Sequence, residues 1–170
     1  MSNLVANRIN ASTRLLIAVV LGLTAGAAIA ASAHFVKGPD ASLNTSAGSV
    51  TVTWKEAGLG DTTQVDYEAS ADGRARYQCV NRGGKCPAAA NKQDVFGPVT
   101  SSGSFFSGKN GSITASLTIQ PPASTLDCPG SQVLKMVSVS YTGIALADLT
   151  NNVVSATDPS SLSMSGSECP

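Results

Sequence analysis

Polar and apolar residues alternate with a period of two along much of the chain after Phe35, and no stretch keeps the 3.6-residue period of an amphipathic helix for three turns. The chain therefore reads as all-β. Val50, Val52 and Trp54 alternate with Thr51, Thr53 and Lys55, which predicts a strand with the first set toward a core and the second toward water. Val65, Tyr67, Ala69 and Ala71 repeat the pattern against Asp66, Glu68, Ser70 and Asp72. Asp72-Gly73 then predicts a tight hairpin turn, since such turns need positive φ, and Ala75, Tyr77 and Cys79 carry the alternation beyond it.

Residues 95–102 predict a strand that tolerates Pro98 only at an edge or a bulge, because proline has no N–H for the ladder. Residues 103–110 read as a Gly and Ser loop closing on the turn Asn110-Gly111. Ile113, Ala115, Leu117 and Ile119 form the next alternating set and stop at Pro121-Pro122. In the apolar stretch 133–149 the core parity runs through Val137, Val139 and Tyr141, breaks near Gly143, and resumes at Ile144 and Leu146. Val153 and Val154 predict a last short strand. Seven or eight antiparallel strands with turn signals between them predict an immunoglobulin-like or fibronectin-like β-sandwich, with a small Greek-key barrel as the alternative.

Two regions fall outside this pattern. Arg8 and Arg14, with no acidic residue among them, lead into the apolar run 15–30, and Ala31-Ser32-Ala33 fits the small-x-small rule for cleavage before His34. Residues 1–33 thus read as a signal peptide that touches the membrane only in transit, with cleavage after Ala30 or retention as an anchor as the competing readings. Residues 34–154 form the predicted sandwich domain. Residues 155–170 are a Ser-rich tail with a disordered composition, which Cys169 is expected to tether.

Composition narrows the function classes. The 170 residues carry 11 basic and 11 acidic groups, so no basic excess exists to neutralise phosphates, and a nucleic-acid binder is not expected. Removing residues 1–33, which hold two of the 11 basic groups and none of the acidic ones, leaves a net charge of −2. The charged fraction of 13% is about half the usual value, and Gly, Ser and Thr supply the polarity instead, which suits an extracellular β domain.

An exported chain with four cysteines, Cys79, Cys86, Cys128 and Cys169, is expected to form two disulfides, and three pairings are open. In the chain-entropy model, joining Cys79 to Cys128 contributes roughly 4 kcal/mol and joining Cys79 to Cys86 roughly 2.5 kcal/mol, which favours long loops without deciding the pairing. Zinc is not expected, because Cys-x6-Cys is wider than the usual knuckle and the lone His34 sits at the cleavage site.

Ala57-Gly58-Leu59-Gly60, the segment from Tyr67 to Asp72, and Tyr77-Gln78-Cys79-Val80-Asn81-Arg82-Gly83-Gly84-Lys85 together resemble a group of small secreted bacterial proteins of unknown function. Asn91-Lys92, Ser107-Gly108-Lys109-Asn110-Gly111 and Cys128-Pro129 extend the likeness over most of residues 34–150. The resemblance implies a bond between Cys79 and Cys128. Under it Cys86 and Cys169 are additions that pair with each other. It implies no activity.

No catalytic set emerges. Gly103-x4-Gly108-Lys109 approaches a phosphate-binding loop, but Asn110 replaces the magnesium-binding hydroxyl and no helix pattern follows. A serine or cysteine nucleophile would need a base, and the one histidine is at the expected mature terminus. Glu56, Asp66, Glu68 and Asp72 concentrate in one region, yet the last three share the solvent parity of one strand and read as a solvated face rather than a glycosidase pair. No calcium loop is present, and no metal or cofactor is assigned.

Contact surfaces are the remaining candidates. Trp54, Tyr67, Tyr77 and Tyr141 have core parity, whereas Phe105 and Phe106 are adjacent and cannot both point inward from an extended segment. Asn81, Arg82 and Lys85 lie in a Gly-rich segment that disulfides would pre-order, lowering the entropy cost of association. The expected function is a secreted, disulfide-stabilised, non-enzymatic binding or structural module with a glycan or protein ligand. Its expected location is extracellular, with the periplasm or cell surface as variants. A carbohydrate-binding domain using Phe105, Phe106 and Trp54 is the alternative, ahead of a carboxylate-dependent hydrolase.

Overall fold

A computed structural model describes residues 33–170, so the expected signal peptide, residues 1–33, lies outside the described residues except for Ala33. Eight strands follow in order: β1 (His34–Leu43), β2 (Val50–Ala57), β3 (Gln64–Val80), β4 (Lys92–Phe106), β5 (Ile113–Ile119), β6 (Val133–Asp148), β7 (Val153–Ala156) and β8 (Leu162–Ser165). β1-β2-β5 make one antiparallel sheet, and β4-β3-β6-β7 make the other, with β8 pairing the same β6 edge as β7 but further along. This all-β arrangement, with strand order 1-2-5 facing 4-3-6-7, is an immunoglobulin-like, fibronectin-like sandwich.

Inner-facing residues fill the space between the sheets as the alternation requires. Val50, Val52 and Trp54 from β2 and Ile113, Leu117 and Ile119 from β5 meet Val65, Tyr67 and Ala69 from β3 and Val139, Tyr141, Ile144 and Leu146 from β6. Burying large aliphatic and aromatic side chains of this kind contributes roughly 1.5–3 kcal/mol each before the entropy of ordering them is counted. The break in β6 parity is a bulge. Gly143 has φ +64°, the register against β3 shifts between Ser70 and Asp72, and core residues change from odd to even numbers there.

The predicted turn at Asp72-Gly73 is absent, because β3 runs without interruption through both residues. Asp72 pairs with Pro98 and Gly73 with Gly97 on β4. The parity already argues for this outcome. A two-residue turn would put Ala71 opposite Arg74, so the core set could not continue at Ala75, yet it does. Glycine serves a different need here: a Cβ at Gly73 would stand 3.0 Å from the Pro122 ring and 3.2 Å from Val99 Cγ2.

The predicted loop at 103–110 is also shorter than expected. β4 continues to Phe106, with Gly103 opposite Tyr67 and Ser104 opposite Asp66. A Cβ at Gly103 would meet Leu117 and Phe105 side-chain atoms at 3.1 Å, so this glycine marks close packing between sheets rather than a turn. Pro98 lies on the edge strand, as its missing N–H requires. The Ser-rich tail contributes β8, and the Ile144 N–H and C=O bond Ser160 O and Thr157 N across the gap between β7 and β8.

Candidate functional site

Both disulfides form at one end of the sandwich, Cys79 with Cys128 and Cys86 with Cys169. Gln78, buried at the end of β3, accepts from the Cys169 N–H at 2.8 Å and donates to Ser167 O. Lys92 Nζ donates to the Cys169 carbonyl. Arg76 forks between Asp94 and Glu168, and this hydrogen bonding holds the Asp94 carboxyl below its usual range. The C-terminal tail is therefore fixed by a covalent bond and by three side chains of β3 and β4.

Asn81, Arg82 and Lys85 sit in the loop that these bonds enclose. Asn81 N–H donates to Lys85 O, and Gly84 N–H donates to Asn81 O, which closes a turn using the positive φ of Gly83 and Gly84. Arg82 and Lys85 are exposed, and Asn81 is half-buried. Phe105 and Phe106 are at the other end, opposite Val65 and Gln64, separated from Val80 by roughly 50 Å of strand. The five candidate ligand residues thus divide into two unconnected regions.

The aromatic set divides too. Phe105 packs edge-on against Trp54 with centroids 5.5 Å apart and against Tyr67 at 5.9 Å, while Phe106 is 66% exposed. Trp54 is buried, so Trp54, Phe105 and Phe106 do not form a shared stacking platform. Phe96, also on the outer face of β4, is 80% exposed.

The densest chemistry lies between the sheets. Glu56 is 0% exposed and accepts a hydrogen bond from Tyr67 Oη at 2.7 Å through Oε2, while its buried Oε1 has no hydrogen-bond partner. Asp148, 1% exposed, pairs directly with Tyr67 across the β3–β6 ladder. Its Oδ1 caps the following turn by accepting from Thr150 and Asn151 N–H, and Oδ2 accepts from Asn151 Nδ2. Burial pushes the Glu56 carboxyl up to about 7. Tyr67 opposes the rise by donating to the charged form, and the nearby charge of Asp148 adds to it. Burial and the Glu56 carboxylate push the Tyr67 phenol well above its ordinary value.

Periodicity carried the signal for both acids. Glu56 follows Val50, Val52 and Trp54 in parity, and Asp148 follows Ile144 and Leu146. Asp66 and Asp72 stay exposed, in keeping with a solvated face. Among the described residues, no group of three or more His, Cys, Asp or Glu side chains is placed to hold a metal ion. Also among them, no helix is long and apolar enough to cross a membrane. Comparison with protein-family models finds no match for this chain, and comparison with curated proteins finds none either.

Proposed function

We propose that the chain is exported, cleaved after residue 33, and acts outside the cytoplasm as a non-enzymatic binding or structural module. Two disulfides in a small β-sandwich fit an oxidising compartment, where such bonds form and persist. The observation that carries the non-enzymatic reading is that Glu56 and Asp148 are buried, while Asp94 and Glu168, which converge at the surface, are both held by Arg76. A hydrolase needs its two acids to flank a substrate, and Glu56 and Asp148 are closed off between the sheets. The surface open to a glycan or protein ligand comprises the exposed Phe106 region and the loop carrying Asn81, Arg82 and Lys85.

Expression of the full chain with export, followed by intact-mass measurement, tests the location and the bonds. The expected mass is that of residues 34–170 less four hydrogens. Free thiols or an uncut leader would overturn this part. A panel of glycans screened for both binding and hydrolysis tests the rest, and turnover abolished by Glu56→Gln would establish an enzyme instead.

A further inference from the structure

We infer that β4 is a self-association edge, pairing antiparallel with β4 of a second copy about a two-fold axis at Ser101. The inference deepens the reading above by naming one partner of the Phe106 region.

The free backbone groups of β4 follow from the ladder. Ser107 N–H donates to Thr63 O, and Cys79 N–H donates to Asn91 O, while the β3–β4 register keeps a constant sum without a shift. Odd residues of β4 therefore bond to β3. Even residues turn their N–H and C=O away from it, toward the open edge of the sheet. Pro98 belongs to the even set, so its missing N–H faces outward, as an edge proline requires.

Edges of this length are usually guarded by charge. This one is not, since residues 95–108 contain no charged side chain. The exposed residues on its outer face are Phe96, Pro98, Thr100, Ser102, Ser104 and Phe106. Antiparallel pairing of two copies must match even with even residues to satisfy both hydrogen bonding and facing. Centring it on Ser101 sets Phe96 of each copy opposite Phe106 of the other and Thr100 opposite Ser102. Aromatic pairs directly opposite on one face stabilise a ladder. A second copy thus fits the edge in backbone phase and aromatic pairing, with one ladder bond missing per copy where Pro98 faces Ser104.

The test is sedimentation velocity on the exported, disulfide-bonded protein across a wide concentration range. A concentration-dependent dimer is expected. Thr100→Lys with Ser102→Lys places lysine opposite lysine in both central pairs, at exposed sites where circular dichroism should be unchanged, and should abolish the dimer. Mixing that variant with Thr100→Glu/Ser102→Glu should restore a heterodimer. A wild-type monomer at every concentration, or a lysine variant that still dimerises, would overturn the inference and leave the ligand-binding reading standing.

Discussion

Tyr67 of β3 donates its phenolic proton to Glu56 of β2 at 2.7 Å, a hydrogen bond that joins the two sheets through the middle of their core. It makes folding sensitive to pH. Glu56 has an ordinary pKa of 4.5 and a folded value of about 7, so between those values the folded state holds a proton that the unfolded state has released. Stability contributed by this group is complete below about pH 4.5, falls as pH rises, and is lost above about 7. The decline amounts to roughly 3 kcal/mol. Urea midpoints measured across this range should fall with pH in the wild type. In Glu56→Gln the same range should be nearly flat, because the amide still accepts from Tyr67 and cannot ionise.

Tyr67→Phe should act in the opposite sense. It removes the donor that favours the charged form, so the folded pKa of Glu56 moves above 7 and the decline extends to higher pH. The variant should also lose roughly 1–3 kcal/mol at neutral pH, since Glu56 Oε2 is left buried without its partner. A set of unfolding curves at matched pH values separates the two effects. An unchanged pH profile would contradict the assigned role of the phenol.

The sandwich was legible because alternation survives from β2 through β6, down to the parity change at Gly143, whereas β1 was not, since Gly38-Pro39 and two register shifts break its alternation. Two of its glycine signals misled, because Gly73 and Gly103 look like turn residues while they admit the Pro122 ring and the Leu117 side chain from elsewhere in the chain. Such contacts are fixed by tertiary packing and leave no local trace. Glu56 and Asp148 are different: their positions were readable from period two, but acidic residues are rarely fully buried, so the chemical type obscures the geometric signal. The tail strand β8 is four residues long and depends on β6 and the Cys86–Cys169 bond, neither of which its composition reveals.

The two disulfides should fail in different ways. Cys86 and Cys169 are 83 residues apart, and Cys79 and Cys128 are 49 apart, so the chain-entropy model gives both about 4–5 kcal/mol. The first bond holds a peripheral tail, whereas Cys79 is buried at the end of the central strand β3. Cys86→Ser with Cys169→Ser should remove hydrogen-exchange protection from the amides of β8 while leaving β3 and β6 protected. Cys79→Ser with Cys128→Ser should lower protection throughout the core. Equal loss of protection everywhere in both variants would show that the tail unfolds only with the whole domain.

Gly111 offers a separable test of backbone conformation and crowding. It has φ +65°, its carbonyl accepts from Leu59 N–H at 3.0 Å, and a Cβ there would lie 3.2 Å from both N and O of Gly60. Those neighbours are backbone atoms of Gly60, in the connection between β2 and β3, and have little room to yield. Gly130 has a similar φ of +60°, but nothing lies within 4 Å of its Cβ position. Gly130→Ala should therefore cost about 1 kcal/mol, the penalty for a left-handed non-glycine residue alone. Gly111→Ala carries the same penalty and must also push two turns apart, so its loss should be larger, about 2–3 kcal/mol. The difference between the two denaturation midpoints measures the crowding directly, and equal losses would mean that the two turns part freely.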